Sequence, residues 1–260
     1  MTIDLNCDLG EGAGHDEALM PLISSANIAC GAHAGDDGVM RATVRLALRH
    51  GVAIGAHPGF ADREYFGRRE RELPPHEIVT LVSGQLERLR EIAKAEGAVV
   101  THVKPHGALY NMAARDAAVA DAIAEAVAGV DAGLWLYGLA GGELLAAGRA
   151  RGLRVVAEVF ADRTYQADGS LTPRNHPDAL LDNTPSAVAQ VLRMVREGYV
   201  RATNGAEVRI QADTVCLHGD GAEAASFARS VREALEREGV RVRALAGCPA
   251  PAQAQVKPGV

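Results

Sequence analysis

Several short runs of the chain alternate between apolar and polar positions with period two. In "TIDLNCD" (2–8) and the residue after it, Ile3, Leu5, Cys7 and Leu9 fall on one side of an extended strand, and Asp4, Asn6 and Asp8 fall on the other. The same reading of "AVVTHVK" (98–104) sets Val99, Thr101 and Val103 against Val100, His102, Lys104 and His106. "RVVAEVF" (154–160) opposes Val155, Ala157 and Val159 to Val156, Glu158, Phe160 and Asp162. In "TVCLH" (214–218), Val215 and Leu217 oppose Thr214, Cys216, His218 and Asp220. Further strand-like runs cover 26–30, 52–57, 134–138 and 240–245, and helix-like runs separate them. Such alternation of strands and helices predicts an α/β fold around a parallel sheet. An open sheet covered by helices on both faces needs strands that are apolar on both sides. Here one side is apolar and the other turns polar toward the C-terminal end of each strand. That pattern predicts an irregular β/α barrel with its polar groups at the C-terminal mouth.

Helix boundaries are signalled as clearly. "LPPHEIVTLVSGQLERLREIAKAEG" (73–97) opens on prolines and closes on Gly97. In 182–198, Thr184 is read as the N-cap, Pro185 as the first helical residue and Gly198 as the stop. The run 221–239 combines apolar helical spacing with i,i+4 charge pairs. No repeat or linker divides the chain, so residues 1–245 are expected to form one barrel domain. The Pro- and Ala-rich tail 246–260 is expected to be mobile.

Composition changes this picture little. With 260 residues, 48% of them hydrophobic, the chain is long enough to bury a barrel core. A net charge of −6 with interspersed signs gives no basic surface for nucleic acid or anionic membranes. No apolar run reaches the roughly 20 residues that span a bilayer. The first residues lack a signal-peptide pattern, so a cytoplasmic location is expected. Cys7, Cys30, Cys216 and Cys248 form no CxxC pair and read as buried, reduced thiols, with a catalytic thiol at Cys7 or Cys30 as the weaker alternative.

The candidate chemistry lies at strand ends and in the loops that follow: 6–12, 30–38, 55–69, 104–111, 158–169 and 218–221. Each supplies an ionisable side chain, and six at equivalent positions of a repeating architecture define a candidate site. Asp8 and Glu11 are a carboxylate pair for acid–base or metal chemistry, or else solvated turn residues. His33, His57, His106 and His218 would individually be ordinary hydrogen-bonded histidines, but they recur at successive strand ends. Lys104 follows an apolar strand, which argues for a buried cation that holds an anion or polarises a carbonyl. Glu158 and Asp162 join the catalytic candidates by alternation. Asn6, Asp36, Arg63, Tyr110, Arg163 and Asp220 are candidates for substrate binding, although Asp220 serves equally well as a helix N-cap. Arg63, Arg68, Arg69 and Arg163 are either a solvated rim or a site for carboxylate or phosphate. Phe60, Tyr65, Phe66, Tyr110 and Tyr165 are loop packing or pocket walls. Phosphate-loop, GxSxG and HExxH motifs are absent from the sequence.

In order, "DLNCDLGEG", "SANIACGAHAGDD", "GAHPGFADREYFGRR", "HVKPHGALYN", "EVFADRTYQADGSLTPR" and "HGD" closely resemble the LamB/YcsF family from residue 2 to about 245. "NHPDALLD" (175–182) departs from the family pattern. The resemblance implies a seven-stranded barrel of the glycoside hydrolase/deacetylase type, with the run at 240–245 peripheral. It also implies opening of the lactam of 5-oxo-L-proline to L-glutamate, coupled to ATP hydrolysis, in a complex with 5-oxoprolinase subunits B and C. ATP and Mg²⁺ are then the expected cofactors. Under that activity, Lys104 and one or more histidines stabilise an oxyanion or phosphoryl group. Asp8 or Glu11, with His33 or His57, acts as general base, or Asp8, His33 and His57 hold the divalent ion. Arg63 or Arg163 binds the substrate carboxylate. Alternatives are an ATP-independent, metal-dependent amidase or deacetylase and a non-catalytic substrate-binding subunit.

Overall fold

The computed structural model describes residues 1–181, 183–218 and 223–245. Asp220 and the tail 246–260, including Cys248, lie outside them.

The inner wall of the molecule is a closed barrel of seven parallel strands. In chain order these are β1 (Thr2–Leu9), β2 (Ser25–Ala29), β3 (Ala53–His57), β4 (Val100–Val103), β5 (Trp135–Leu139), β6 (Arg154–Phe160) and β9 (Thr214–Leu217). Each pairs with the next, and β9 closes on β1 with Asp4 opposite Thr214 and Cys7 opposite Leu217. The peripheral eighth strand is β10 (Arg241–Val242), which pairs with the first residues of β1. Around the wall lie α1 (Asp16–Leu19), α2 (Asp37–His50), α3 (Pro75–Ala95), α4 (Gly107–Arg115), α5 (Ala117–Asp131), α6 (Glu143–Ala150), α7 (Thr184–Glu197) and α8 (Ala224–Arg237).

Two details depart from the sequence reading. An antiparallel hairpin of β7 (Tyr199–Arg201) and β8 (Glu207–Arg209) interrupts the path from α7 to β9. Its strands are too short to show alternation, although Asn204–Gly205, with Gly205 at φ +86°, is a recognisable turn signal. The N-cap of α7 is Asn183, whose side chain accepts from Ser186 N at 2.8 Å. Thr184 is already the first helical residue, because Asn183 and not Thr184 has the extended backbone that a cap requires.

The outer layer is apolar, as the alternation requires. Ile3, Leu5, Cys7 and Leu9 are buried, as are Val215 and Leu217. They share a core with the inner stripes of the helices, including Ile78, Val82, Leu86 and Leu89 of α3. At about 1.5–3 kcal/mol per fully buried large side chain, this layer holds the helices to the wall.

The barrel interior is filled by polar side chains in successive layers. At the bottom, Asp4 accepts from Ser24 (2.6 Å), Ser25 (2.7 Å), Thr214 (2.7 Å) and Tyr137 (3.0 Å). Burial raises its carboxyl above the usual range, and these four hydroxyls partly offset the rise. One layer up, Asn6 donates to Glu158 (2.9 Å) and Thr214 (2.8 Å), and Asn27 donates to Asn6 (2.8 Å). His102 reaches Asn27 Oδ1 at 3.0 Å and stacks on Tyr137 at 4.4 Å. A register shift between Ile54 and Gly55 puts Gly55 opposite His102. A Cβ on Gly55 would lie 2.1 Å from His102 Nε2, so that imidazole fits only against glycine.

Candidate functional site

The polar column ends at the C-terminal mouth in a cleft of about 810 Å³. Its floor is the third inward layer. Lys104 lies just past the end of β4, where the polypeptide is anchored by Lys104 N donating to Ala56 O. Its ammonium donates to Asp8 Oδ1 (2.9 Å), Cys216 Sγ (3.0 Å) and Asn6 Oδ1 (3.3 Å), and it forms an ion pair with Glu158 Oε1 at 3.0 Å. Burial opposes its charge. Asp8, Cys216 and Glu158 overcome that and push its pKa well above the ordinary lysine value, so Lys104 is a fixed cation. Burial also opposes the charge on Asp8, but the neighbouring His57 and Lys104 hold its carboxyl well below the usual range. Asp8 accepts a further bond from Asn27 at 2.8 Å.

Beside this ion triad stands a cluster of imidazoles. His57 ends β3, His106 stands at the N-cap position of α4 in the loop after β4, and His33 comes from the loop after β2. Glu11, from the loop after β1, places Oε1 at 3.3 Å from His33 Nε2, 3.4 Å from His106 Nδ1 and 3.8 Å from His57 Nε2. His33 and His106 stack in parallel with centroids 3.8 Å apart, and His57 stands edge-on to both. Burial lowers the pKa of His33, and burial with the neighbouring imidazoles lowers that of His106 far more. For His57, burial acts in the same direction, but Asp8 at 3.3 Å outweighs it and the pKa is raised.

The far wall carries a third group. His218 Nδ1 donates to Asp162 at 2.8 Å, and its Nε2 accepts from Arg174 at 2.8 Å. The ring stacks on Phe160. Burial would raise the Asp162 carboxyl, but the adjacent His218 takes it below its ordinary value. Tyr110 faces the same space. Its hydroxyl and Glu158 Oε2 are buried without a hydrogen-bond partner among the described residues. Burial and the Glu158 charge push the Tyr110 hydroxyl well up, so it is a neutral donor.

The structure therefore brings Asp8, Glu11, His33, His57, Lys104, His106, Tyr110, Glu158, Asp162 and His218 to one mouth. Other candidates are placed differently. Asn6 lies below the cleft, with both ends of its amide committed inside the barrel, so it supports the floor instead of meeting substrate. Asp36 caps α2 by accepting from Val39 N at 2.9 Å. Arg63 ties the loop after β2 by donating from one guanidinium nitrogen to the carbonyls of Gly31 and Gly35, and it is not among the residues that line the cleft. Arg163 lines the cleft, but it donates to the carbonyls of Ala179 and Thr172 and so holds the segment 163–180. Asp220 lies outside the described residues. Asp8 sends Oδ1 to Lys104, and the candidate metal set becomes Glu11, His33, His57 and His106. Cys7 and Cys30 are buried, and burial pushes the Cys30 thiol up to about 12, which removes the catalytic-thiol reading. Arg174 was not singled out in the sequence. Its only signal was a position in the "SLTPR" segment, twelve residues beyond Asp162.

A closed parallel barrel whose C-terminal mouth holds a carboxylate–ammonium floor and an imidazole–carboxylate cluster defines the class of protein. The chain belongs to the LamB/YcsF family, which matches residues 3–250. It is 57% identical over 248 residues to the A subunit of the 5-oxoprolinase of Geobacillus thermodenitrificans, covering 94% of this chain and 97% of that one. It is 59% identical over 247 residues to the protein of the same name from Shouchella clausii, covering 93% of this chain and 98% of that one. The crystal structure of the lactam utilization protein from Thermus thermophilus superposes with a TM-score of 0.89 at 50% identity, covering 94% of this chain and all of that one. Among the described residues no helix is long and apolar enough to cross a membrane.

Proposed function

We propose that this chain is the ring-opening subunit of an ATP-dependent 5-oxoprolinase, converting 5-oxo-L-proline to L-glutamate together with two partner subunits, B and C. The observation that carries the reading is the buried Lys104 ammonium clamped between Asp8 and Glu158 at the base of a cleft, in a chain 57% identical to a protein bearing that name.

A lactam is a resonance-stabilised amide with a poor leaving group, so opening it demands an activated carbonyl and an activated water. ATP, with Mg²⁺, supplies the carbonyl activation when bound. The chain's own groups divide the remaining tasks. Arg174, held by the Asp162-oriented His218, presents its remaining guanidinium N–H groups from the far wall to a small anion, whether carboxylate or phosphoryl. Tyr110, a neutral phenol on the cleft wall next to the Glu158 charge, is a donor for the lactam carbonyl. Asp8, kept ionised by Lys104 and His57, accepts a hydrogen bond from the attacking water and orients it toward the lactam carbonyl.

The imidazole–carboxylate cluster favours a second reading, an amidase that needs a metal and no ATP. One assay tests both: ADP and glutamate release from 5-oxoproline, with the chain alone and then with both partner subunits. Stoichiometric ADP and glutamate only in the complete mixture supports the first reading. Glutamate formed without ATP supports the second, and no glutamate in any mixture overturns both.

A further inference from the structure

We propose that Glu11, His33, His57 and His106 form a binding site for a transition-metal dication of the zinc type. The proposal goes beyond the lactam-opening reading and stands without it.

Hydrogen-bond directions at the two central rings carry the argument. His57 Nδ1 lies 2.8 Å from the Lys104 carbonyl and His106 Nε2 lies 2.8 Å from the Phe66 carbonyl. A carbonyl only accepts, so each of these nitrogens bears the proton. In the neutral rings, His57 Nε2 and His106 Nδ1 are then both lone pairs, and they face each other at 2.9 Å. Two lone pairs at that distance repel unless a positive centre, either a proton shared from His57 or a metal ion, sits between or beside them. Glu11 Oε1 adds a third electron-rich atom at 3.4 and 3.8 Å, and His33 Nε2 lies 3.3 Å from that oxygen. All four donor atoms fall within 4.8 Å of one another. A tetrahedral centre with ~2.1 Å bonds separates its donors by about 3.4 Å, close to these spacings.

The surroundings fit the same purpose. Histidine ligands characteristically donate their second N–H to a carbonyl or carboxylate, which fixes tautomer and orientation, and both rings do so here. The carbonyl that fixes His106 belongs to Phe66, a non-glycine residue held at φ +55°. Such a conformation costs of order 1 kcal/mol and persists where the neighbourhood enforces it. The neighbour is Gly67 at φ +63°, where a Cβ would lie 2.9 Å from His33 Cβ and 3.1 Å from His106 Cδ2. Charge balance agrees as well, because two carboxylates, Asp8 and Glu158, meet the one Lys104 ammonium, and Glu11 adds a third carboxylate among the imidazoles. The donor set also selects the ion. Mg²⁺ takes oxygen ligands and keeps its waters, whereas three imidazoles and one carboxylate suit zinc, cobalt, nickel or iron. The ion at this site is therefore distinct from the Mg²⁺ that accompanies ATP.

The full chain, freed of metal by a chelator, is titrated with Zn²⁺, Co²⁺ and Mg²⁺ by calorimetry. Expected are about one Zn²⁺ per chain, much weaker Mg²⁺ binding, and a Co²⁺ complex with visible d–d absorption. His33→Ala and Glu11→Gln should weaken Zn²⁺ by more than the ~10–100-fold typical of changes outside the coordination sphere. The exposed-site control His176→Ala should bind as the wild type does. Nitrogen-15 spectra of the Zn²⁺ complex should show His57 metallated at Nε2 and His106 at Nδ1. Circular dichroism establishes that each variant is folded, and if His33→Ala is not, Glu11→Gln decides. Zn²⁺ binding no tighter in the wild type than in folded Glu11→Gln overturns the site. So does an imidazolium at His57, bridging to His106, that persists at saturating Zn²⁺. A preference for Mg²⁺ overturns the assignment of ion class.

Discussion

His102, Lys104 and His106 follow one another at alternate positions, and each solves the cost of burying a polar group differently. His102 sinks beneath the cleft and stays neutral, with Asn27 and Tyr137 around it. His106 stays neutral at the rim, where its second nitrogen is pinned by Phe66 O. Lys104 remains charged because two carboxylates meet it. Removing that cation leaves Asp8 and Glu158 facing each other in a nearly dry layer. We therefore expect Lys104→Met to lower stability by about 3–5 kcal/mol and turnover of the reconstituted complex by about 10²–10³-fold. Urea unfolding and the coupled ADP–glutamate assay measure the two effects separately. A folded, fully active Lys104→Met would remove the ammonium from the chemistry and show that the two carboxylates do not need it.

At the scale of elements, close approach between β3 and β4 decides what the barrel holds. Gly55→Ala drives a methyl group into His102, and we expect a loss of roughly 1–3 kcal/mol from overpacking. Combining it with His102→Ala should recover part of that loss, and a double-mutant cycle of melts would detect the coupling. If the two losses simply add, the contact does not restrict the site. On α7, Asn183→Ala should cost about 1 kcal/mol, whereas Thr184→Ala should be nearly neutral, because only Asn183 meets an orphan N–H. These elements also show what was legible in the sequence. The inward faces of β1 and β6 were readable because Asp4, Asn6, Asp8 and Glu158 interrupt otherwise apolar strands at period two. Strand ends likewise gave His57, Lys104 and His218. Loop side chains were not readable in the same way. Asp36 and Arg63 lie in the same kind of post-strand loop as His33, yet one turned to cap a helix and the other to bind carbonyls. Period-two reasoning gives no direction once the chain leaves the strand. Arg174 was missed for the same reason, since the segment that carries it returns to the mouth through tertiary contacts such as those made by Arg163 and Thr164.

For the whole molecule, a barrel filled with hydrogen-bonded polar groups in place of the usual branched aliphatics ties stability to protonation. His102 makes this measurable. Burial, followed by the nearby Lys104 and His57 charges, lowers its pKa from an ordinary 6.5 to about 3. Between those values the unfolded chain binds a proton that the folded chain refuses. Stability is then greatest above the unfolded pKa and falls as pH drops through the window, by at most about 1.4 kcal/mol per pH unit for this one group. His102→Gln removes the group while leaving an amide to meet Asn27. The variant is expected to be less stable than the wild type at pH 8, because packing against Tyr137 is lost, but to lose less on acidification. Urea midpoints measured from pH 8 to pH 3.5 for both proteins test this, with the difference between them isolating His102 from the other carboxylates and imidazoles. Parallel curves over that range would mean that His102 accepts its proton inside the fold. The interior column would then be wetter and more adaptable than its hydrogen bonds imply, and the sharp division between a dry floor and an open mouth would have to be abandoned.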